Sequence, residues 1–469
     1  MINGQKFDIV IIGGGPGGYV AAIKASQQNK TVCLIEKKHL GGTCLNVGCI
    51  PTKTLVANAE VLEKVKTASS FGIYISSFSV DFARMIERKN EVVNKIRRSL
   101  EGLLQSNGLT IIKGEAEFLS PYEIKIKGEE SGVIQASKVI IATGSEPLNI
   151  PNLPCDHQRV FNSSSILDLK TLPQSIAIIG GGYIGCEFAS LYASLGVKVT
   201  VLEAMPGLVL AQGQLISEAL TKAFQKQGID VRTSVFVEGI DQKEDKAVIR
   251  LKDGSSLSAD IVLVAVGRKL CSYGLGLDKA GLKADEKGAI KVNSKMETKV
   301  PGIYAIGDVT GECLLAHVAS HQGIVAALNA VGQESHMHYE AIPAVIFTHP
   351  EIAMVGLTLE QALEKGHDAI VGKFPFQALG KSVASMETDG FSQIIIDKKT
   401  KAILGAQVVG AHASHLIAEI TLAIANELTV ESLIETVHAH PTVSESWLEA
   451  ALIAEGTPIH FPPKLKKGS

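Results

Sequence analysis

The sequence has little cysteine, one tryptophan and no long apolar run, and each shortage excludes a class of protein. Seven cysteines in 469 residues are an odd number in a long chain, which argues against a disulfide framework. No stretch reaches the roughly 18 uninterrupted apolar residues of a membrane helix, so a membrane partner is not expected. The N-terminal apolar run is broken by glycines after six residues and lacks a basic region and a cleavage site, which favours a strand over a signal peptide. A cytoplasmic protein with mostly reduced cysteines is expected.

A strong excess of one charge is also lacking. The formal net charge is −3, and 20% of the residues are charged, so no long-range field would attract nucleic acid or an anionic membrane. Hydrophobic residues make up 46% of the chain and the mean hydropathy is +0.21, as in an apolar globular enzyme. The length exceeds the roughly 250–300 residues that one core supports, so about three domains are expected.

Glycine, in contrast, is concentrated in two similar segments. A strand predicted at 7–12 is followed by GGGPGG, a helical pattern and a second strand at 32–35 that ends at Glu36. The same order returns with a strand at 176–179, GGGYIG, a helical pattern and a strand at 197–202 that ends at Glu203. The sequence therefore contains two copies of one βαβ unit, about 167 residues apart.

Each copy carries the glycine spacing of a dinucleotide-binding loop. Its glycines provide a tight turn, close approach of the backbone to a pyrophosphate, and close packing of helix on strand. The acidic residue at the end of the second strand would accept hydrogen bonds from ribose hydroxyls. Two such sites most economically imply a flavin and a nicotinamide, and Glu203 without a nearby arginine favours NAD over NADP. The predicted positions are Gly13, Gly15, Gly18 and Glu36 in the first copy, and Gly180, Gly182, Gly185 and Glu203 in the second.

The rest of the chain extends this pattern and then changes it. Strands predicted at 137–143 and 260–266 follow the two copies, and the proline-bearing segment after the first strand predicts a boundary near 150. The second copy is therefore expected to be inserted into the first or appended to it. From about 345, strand-like and helix-like stretches occur in blocks. The expected fold class is α/β, with two Rossmann-like dinucleotide-binding domains and a C-terminal α+β domain.

The stretch GGTCLNVGCIPTK holds Cys44 and Cys49, which could form a metal clip, a structural bridge or a redox centre. A zinc site needs further ligands, and neither a second close cysteine pair nor HAH at 438–440 has suitable spacing, so no metal is predicted. A structural bridge does not suit a reducing compartment. A redox pair fits better, because the preceding glycines let the backbone approach a cofactor and the following predicted helix would favour a thiolate at Cys49.

These motifs together resemble those of the flavoprotein disulfide reductases, also called class I pyridine nucleotide-disulfide oxidoreductases. The resemblance rests on the cysteine stretch, both glycine loops, ATG at 142–144, GD at 307–308 and HAHPTVSE near the C-terminus, and it covers residues 6 to about 461. It implies FAD and NAD as cofactors. It also implies an FAD domain at 1–150, an NAD domain at 151–275, a central domain at 276–345 and, at 346–469, a dimerisation domain that makes a homodimer.

The resemblance also implies roles for individual residues. Cys44 would exchange disulfides with the substrate, and Cys49 would lie against the flavin as a charge-transfer thiolate. Lys53 would lie near the flavin and pair with Glu187. The remaining implied cofactor contacts are Glu36 at the adenosine ribose, Asp308 at the ribityl chain, Ala116, Thr143, Gly144 and Ala316 at FAD, and Val237 and Gly267 at NAD.

HAHPTVSE also supplies a candidate general base. A proton must leave the attacking substrate thiol near neutral pH, which suits an imidazole, and a carboxylate on its other nitrogen would hold the tautomer. His440 and Glu445 provide this pair. His438 is the local competitor, but the match to HPT-x-x-E selects His440. The resemblance places His440 against Cys44 of the partner subunit.

The implied activity is oxidation of protein-bound dihydrolipoamide with NAD. The partners would be lipoyl domains of 2-oxo acid dehydrogenase complexes or the H protein of glycine cleavage. Glutathione-type reductases normally use NADP and would be expected to have basic residues near 203. Mercuric reductases carry a C-terminal cysteine pair that is missing here. A docking subunit and a redox sensor are alternatives from other classes, and intact catalytic residues argue against both. Two departures from the family pattern are Cys271, in place of the usual asparagine, and the apolar segment after Glu203.

Overall fold

The structure is a computed structural model that describes residues 2–243 and 245–463. It divides into two compact units. The first unit contains the chain up to Leu172 together with Val266–His338, and the second contains Pro173–Ala265 together with the chain from Tyr339 onward. The segment with the second glycine loop therefore interrupts the first unit in sequence. The four domain boundaries expected from the sequence stay a prediction.

The N-terminal part of the first unit holds the first βαβ copy, a helix pair and an antiparallel extension. Its strands are β1 (Lys6–Ile12), β2 (Val32–Glu36), β3 (Thr110–Ser120), β4 (Glu123–Gly128), β5 (Gly132–Ile141), β6 (Ser145–Pro147) and β7 (Val160–Asn162), and its helices are α1 (Pro16–Ser26), α2 (Gly42–Val47), α3 (Cys49–Thr67) and α4 (Phe82–Ser106).

The segment 173–265 of the second unit repeats the βαβ copy and adds a meander. Its strands are β8 (Ser175–Ile179), β9 (Lys198–Leu202), β10 (Asp230–Arg232), β11 (Val237–Lys243), β12 (Lys246–Leu251), β13 (Ser256–Ala259) and β14 (Ile261–Val264), and its helices are α5 (Tyr183–Ser194) and α6 (Gln214–Lys226).

The remaining elements complete the two units. The first unit gains β15 (Arg268–Leu270), β16 (Ile303–Ala305) and α7 (Ala316–Ala330), and the second unit gains β17 (Ala344–Ile346), β18 (Ile352–Gly356), α8 (Leu359–Glu364), β19 (Ala369–Pro375), α9 (Gly380–Ser385), β20 (Phe391–Asp397), β21 (Ile403–Val409), α10 (Ala413–Ala425), α11 (Val430–Glu435) and α12 (Glu445–Ala454).

The first unit is built on a parallel sheet whose strands run in the order β3, β2, β1, β5, β16. The central strands are buried on both faces, which explains their continuous apolar sequences. Beyond this sheet, β3 and β5 each pair antiparallel with β4. In β3 buried and more exposed residues alternate, as expected where only one face of a sheet is covered. The glycine loop lies at the carboxyl end of β1, where α/β sheets bind their ligands.

The described residues of the second unit form strands of three sheets. Strands β10, β9, β8 and β14 pair parallel in that order, and β11, β12 and β13 form an antiparallel meander. The C-terminal sheet is antiparallel in the order β17, β18, β21, β20, β19, and its core includes the fully buried Trp447 of α12. Gly372 lets α12 approach β19, because a Cβ there would lie 1.8 Å from the Ala450 carbonyl oxygen. Strands and helices in blocks confirm an α+β arrangement at the C-terminus.

Across the residues placed in the structure, no helix has both the length and the apolar content needed to cross a membrane.

Candidate active site

Two glycines of the first loop are required by protein packing. Gly13 has a φ of +110°, and a Cβ there would lie 2.3 Å from the Ala142 carbonyl oxygen. A Cβ at Gly18 would lie 1.8 Å from the Gly13 carbonyl oxygen, so a side chain at this position would push α1 away from the loop. These two positions account for the tight turn and for the close packing of helix on strand.

Gly15 has a different reason to be glycine. A Cβ there would meet no described protein atom closer than 3.9 Å, so packing does not forbid a side chain. Gly15 is the N-cap of α1, and no side chain of the described chain caps that terminus. The amide groups of the first turn can therefore bind an anion, and close approach of a pyrophosphate explains the glycine.

Glu36 is held by the loop that it serves. Its Oε2 accepts a hydrogen bond from the Gly14 amide at 2.7 Å, and its Oε1 accepts one from the Lys38 amide at 2.7 Å. The carboxylate is thus fixed at the end of β2, beside the loop. From this position the carboxylate would accept hydrogen bonds from ribose hydroxyls, which is the role that the sequence predicts for it.

The second loop reproduces this geometry. Gly180 also has a φ of +110°, and a Cβ at Gly185 would lie 1.9 Å from the Gly180 carbonyl oxygen. Gly182 caps α5 without a side-chain partner, and a Cβ there would meet no described atom within 4 Å. Glu203 accepts hydrogen bonds from the amides of Gly181 at 2.5 Å and Met205 at 2.7 Å.

The atypical apolar segment after Glu203 has a structural role at this loop. Leu208 is fully buried, and a Cβ at Gly181 would lie 2.6 Å from its side chain. The Val209 amide donates a hydrogen bond to the Gly181 carbonyl at 2.9 Å. The segment therefore packs on the second glycine loop and supports its shape.

Asp308 lies in a polar network with two residues that the sequence does not single out. The Ser145 hydroxyl donates a hydrogen bond to the Asp308 carboxylate. Arg268 donates to the Ser145 hydroxyl at 2.6 Å and to the Ser145 carbonyl at 2.8 Å, and its guanidinium lies 3.7 Å from Asp308. The Thr43 hydroxyl also donates to the Ser145 carbonyl at 3.5 Å. Ser145 therefore connects Asp308 to the segment that carries Cys44.

The other predicted cofactor positions occupy separate elements. Ala116 is a buried residue of β3, Ala316 begins α7, and Val237 begins β11. The Thr143 hydroxyl is buried and has no hydrogen-bond partner among the described residues. Gly267 has a φ of +126° and lies in the first unit.

Gly144 keeps a backbone contact with the unusual Cys271. The Cys271 amide donates a hydrogen bond to the Gly144 carbonyl at 2.9 Å. Because this bond uses only main-chain atoms, it does not require the asparagine that is usual at this position. Burial raises the pKa of the Cys271 thiol, and the Glu146 carboxylate adds to this effect. A protonated thiol at this position is consistent with a packing residue.

The segment that carries the two cysteines approaches the first glycine loop through Gly42. Cys44 is in α2 and Cys49 is the first residue of α3, so the helix begins at the cysteine for which a thiolate is expected. Gly41 and Gly42 have positive φ values of 89° and 56°. A Cβ at Gly42 would lie 2.7 Å from the Cα of Gly15, so glycine is needed for the cysteine segment to approach the loop.

The described cysteines are all present as thiols, and Cys44 is hydrogen-bonded to Cys49. This hydrogen bond, burial and the charge of Cys49 raise the pKa of Cys44, while the Lys53 ammonium lowers it in part. In the dithiol form, ionisation of Cys44 is therefore disfavoured.

Lys53 is a residue of α3, and Glu187 is a residue of α5. Lys53 is one turn beyond Cys49 in α3, close enough for its charge to act on Cys44. Glu187 is buried in α5, and its Oε1 accepts a hydrogen bond from the Phe347 amide at 3.0 Å. Their pairing stays a prediction.

His440 and Glu445 form the arrangement expected of a general base and its carboxylate. The Nδ1 of His440 lies 2.8 Å from Oε1 of Glu445, and the Thr442 amide donates to Oε2 at 2.8 Å. Burial opposes ionisation of Glu445, but the Thr442 amide and His440 outweigh it and lower the pKa of the carboxyl. The His440 side chain is 78% exposed, which leaves Nε2 accessible to a substrate thiol.

The residues present fit the two cofactors implied by the sequence. In both loops the helix N-terminus has no side-chain cap. The N-cap glycine of each loop, Gly15 or Gly182, leaves space for an approaching phosphate. The buried, unpartnered Thr143 hydroxyl is a further polar group available to a ligand in the first unit. No group of three or more described histidine, cysteine or acidic residues is placed to hold a metal ion.

Sequence reasoning missed several residues that support the predicted ones. Gly14, Gly181 and Thr442 lie within recognised motifs, so their amides could have been assigned to the nearby carboxylates. Ser145 follows ATG and Arg268 follows Gly267, but nothing in their spacing connects them to Asp308. Their contacts join segments that are far apart in sequence.

Two known families match the chain. The family described as "Pyridine nucleotide-disulphide oxidoreductase" matches residues 7–323. The family described as "Pyridine nucleotide-disulphide oxidoreductase, dimerisation domain" matches residues 342–451.

Individual relatives match over nearly their whole length. A dihydrolipoyl dehydrogenase from Chlamydia pneumoniae is 50% identical over 98% of this chain and 99% of its own. One from Geobacillus stearothermophilus is 41% identical over 97% of this chain and 98% of its own. The crystal structure of LpdA from Mycobacterium tuberculosis matches with a TM-score of 0.90 and 27% identity, covering 95% of this chain and 99% of that one.

Proposed function

The chain belongs to the pyridine nucleotide-disulphide oxidoreductase family, and from this premise we propose that it oxidises a dihydrolipoyl dithiol to the cyclic disulfide while reducing NAD⁺ to NADH. The observation that carries this activity is the 50% identity to a dihydrolipoyl dehydrogenase over 98% of the chain. The Cys44–Cys49 contact and the His440–Glu445 pair supply the groups that the reaction needs.

The cofactors are FAD and NAD. When bound, they supply the electron-transfer chemistry that carries an electron pair from the dithiol to the nicotinamide. We assign FAD to the first glycine loop with Glu36 and Asp308, and NAD to the second loop with Glu203. Helix N-termini would bind the pyrophosphates, and the two glutamates would bind the ribose hydroxyls.

The dithiol and the cysteine pair exchange a disulfide in two steps. A substrate thiolate attacks the Cys44 sulfur of the oxidised Cys44–Cys49 pair, which forms a mixed disulfide and releases Cys49 as a thiolate. The second substrate sulfur then attacks the first, which closes the substrate disulfide and releases Cys44. The substrate loses two electrons and two protons, and the cysteine pair gains the two electrons. The position of Cys49 as the first residue of α3 supports this assignment, because the helix N-terminus stabilises a departing thiolate.

His440 removes the substrate proton. Its Nδ1 is paired with Glu445, so Nε2 accepts the proton and the carboxylate stabilises the imidazolium that forms. The proposal includes His440 acting on Cys44 of the other copy in a homodimer. Lys53 and Glu187 would act together near the reacting end of the flavin.

A second copy and a lipoyl-bearing protein are the proposed partners. The dimerisation family match at 342–451 supports the homodimer. An exposed apolar run in the loop between α3 and α4 also offers a surface that a second copy could cover, and it consists of Phe71, Ile73, Tyr74, Ile75 and Phe78. The substrate would be presented by lipoyl domains of 2-oxo acid dehydrogenase complexes or by the H protein of glycine cleavage, in the cytoplasm. The four domains at 1–150, 151–275, 276–345 and 346–469 complete the proposal.

A steady-state assay tests the activity. FAD-loaded protein is mixed with free dihydrolipoamide and NAD⁺, and formation of NADH is followed by absorbance. Turnover with NAD⁺ is expected. A protein that binds FAD and forms no NADH would contradict the proposal.

The Cys44→Ser variant tests the route. It is expected to lose NADH formation to the limit of detection, because the serine hydroxyl cannot form the mixed disulfide. Cys155→Ser is the matched control, since Cys155 lies outside the site and its pKa is raised by burial. Equal loss in both variants would indicate a general effect on folding, and full activity of Cys44→Ser would exclude the exchange mechanism.

A further inference from the structure

A second histidine of the HAHPT segment, His438, is more buried than His440. The side chain of His438 is only 4% exposed. Its Nε2 lies 2.8 Å from Oε1 of Glu419, and its Nδ1 lies 3.0 Å from the Thr436 carbonyl oxygen. Both ring nitrogens therefore face oxygen acceptors.

This geometry requires a particular protonation state. A neutral imidazole donates from one nitrogen only, whereas an imidazolium donates from both. The Thr436 carbonyl oxygen cannot donate, and the other contact of the ring is also to an oxygen, Oε1 of Glu419. The hydrogen bond to Glu419 raises the pKa of His438 and outweighs the opposing effect of burial. With Glu419 as an acceptor, both contacts are hydrogen bonds at the same time only in the imidazolium form of His438.

The position of His438 connects the catalytic segment to the helix α10. Glu419 is a residue of α10, while His440, two residues after His438, is bound to Glu445 at the start of α12. The two helices are themselves joined, because the Trp447 indole donates to the Leu416 carbonyl at 3.0 Å. The segment 436–442 is thus anchored to α10 by His438 and to α12 by His440.

We propose that His438 is a positioning residue, a buried imidazolium that ties segment 436–442 to α10 through Glu419 and so sets where His440 presents Nε2. The proposal deepens the function given above and rests on it for the role of His440. His438 does not touch the reacting sulfurs in this mechanism. It acts by limiting the positions available to His440.

Deprotonation of His438 would release this anchor. The charged groups that face it are Glu419 from α10 and Glu445 from α12. Its pKa is raised in the folded state, so the stabilisation is fully present below the ordinary histidine pKa and is lost as pH rises through the folded-state value. Turnover is therefore expected to fall on the alkaline side as the segment loosens.

The first test compares pH profiles of kcat for three variants. His438→Gln can still donate to Glu419 and His438→Asn can still donate to Thr436, but neither can make both bonds as a cation. Each is expected to lower kcat, by up to about a hundredfold, while the KM for NAD⁺ stays unchanged. Glu419→Gln removes the charge that favours the imidazolium. The alkaline limb of its profile, where kcat falls as pH rises, is therefore expected to move to lower pH. An unshifted limb in Glu419→Gln would overturn the proposal.

The second test does not depend on turnover. Ring ¹⁵N–¹H correlation spectra of histidine-labelled protein at pH 7 are assigned with His438→Gln, and His438 is expected to carry protons on both ring nitrogens. A single protonated nitrogen would overturn the proposal even in an active enzyme. An inactive wild type with a doubly protonated His438 would instead contradict the proposed function. His367→Gln is the matched control, because His367 pairs with Asp397 at 3.2 Å outside this segment, and it should leave the pH profile unchanged.

Discussion

At the scale of single residues, the two strand-end glutamates each have a second task. Glu36 and Glu203 each accept hydrogen bonds from an amide inside the glycine loop and from the amide two residues after the glutamate. The carboxylate that would select the ribose therefore also fixes the loop. Bonds of this kind to a charged acceptor are stronger than neutral ones.

Replacing the two glutamates separately should affect different cofactors. Glu203→Ala is expected to raise the KM for NAD⁺ by roughly tenfold to a hundredfold, since hydrogen bonds to a charged group are worth about 1.5–3 kcal/mol. Glu36→Ala is the matched variant, with the same contacts in the first loop, and it should lower FAD retention instead. Steady-state kinetics and flavin absorbance after gel filtration measure the two effects. Equal effects of both variants on the KM for NAD⁺ would contradict this division.

Single residues were predictable where a short motif carries their chemistry. Cys44 and Cys49 lie five positions apart in one segment, and they are in contact. His440 lies in the turn before α12 and Glu445 begins that helix, so this pair is also in contact. Ser145, Arg268 and Glu419 contribute through contacts between distant segments, which spacing in the sequence cannot reveal. His438 was considered only as a competitor of His440, because its partner Glu419 is in another helix.

At the scale of elements, the turn from strand to helix in each βαβ unit depends on glycines with different functions. Gly185 allows α5 to pack over the carbonyl of Gly180, whereas a Cβ at Gly182 would meet no described atom within 4 Å. One position therefore supports the fold, and the other leaves space for the ligand. The distinction allows the two functions to be tested apart.

Alanine at these two positions should separate stability from binding. Gly185→Ala is expected to lower the midpoint of thermal unfolding, because a Cβ 1.9 Å from the Gly180 oxygen forces α5 to shift at a cost of about 1–3 kcal/mol or more. Gly182→Ala should unfold at the wild-type temperature and yet raise the KM for NAD⁺. Differential scanning calorimetry and steady-state kinetics provide the two measurements. A large loss of stability in Gly182→Ala would show that packing, not the ligand, requires glycine there.

Elements with long apolar runs were predictable from the sequence, and those on partly exposed surfaces were less so. The strands expected at 7–12 and 176–179 correspond to β1 and β8, whose buried residues leave no polar face. The strand expected at 137–143 begins earlier, at Gly132, because β5 also pairs with β4 in the antiparallel extension. The meander β11–β13 and the helix α4 carry no prediction. Helix α4 buries Phe82, Val93, Leu100 and Leu104 at helical spacings on an otherwise polar segment, a pattern that differs from the continuous apolar runs of the buried strands.

At the scale of the whole molecule, the proposed active site needs two chains. The homodimer would place His440 of one subunit against Cys44 of the other, so each site would combine residues from both subunits. An isologous dimer has two identical sites of this kind. A defect in either residue would then affect both sites of a uniform dimer.

Mixed dimers should recover activity from two inactive variants. In a heterodimer of Cys44→Ser and His440→Gln chains, one site would contain both changes and the other neither. Purified heterodimers are therefore expected to have about half of the wild-type activity. Co-expressed, differently tagged chains are purified through both tags and assayed with dihydrolipoamide and NAD⁺. Heterodimers without activity would show that Cys44 and His440 act within one chain.

The double task of Glu203 also limits how the coenzyme preference could be redesigned. Exchanging the glutamate for a residue that tolerates a 2′-phosphate would remove a repelling charge and at the same time leave the Gly181 and Met205 amides without their acceptor. A successful redesign would have to supply a new acceptor for both amides. The same constraint applies at Glu36, so nucleotide selectivity and loop architecture cannot be engineered independently in either half of this enzyme.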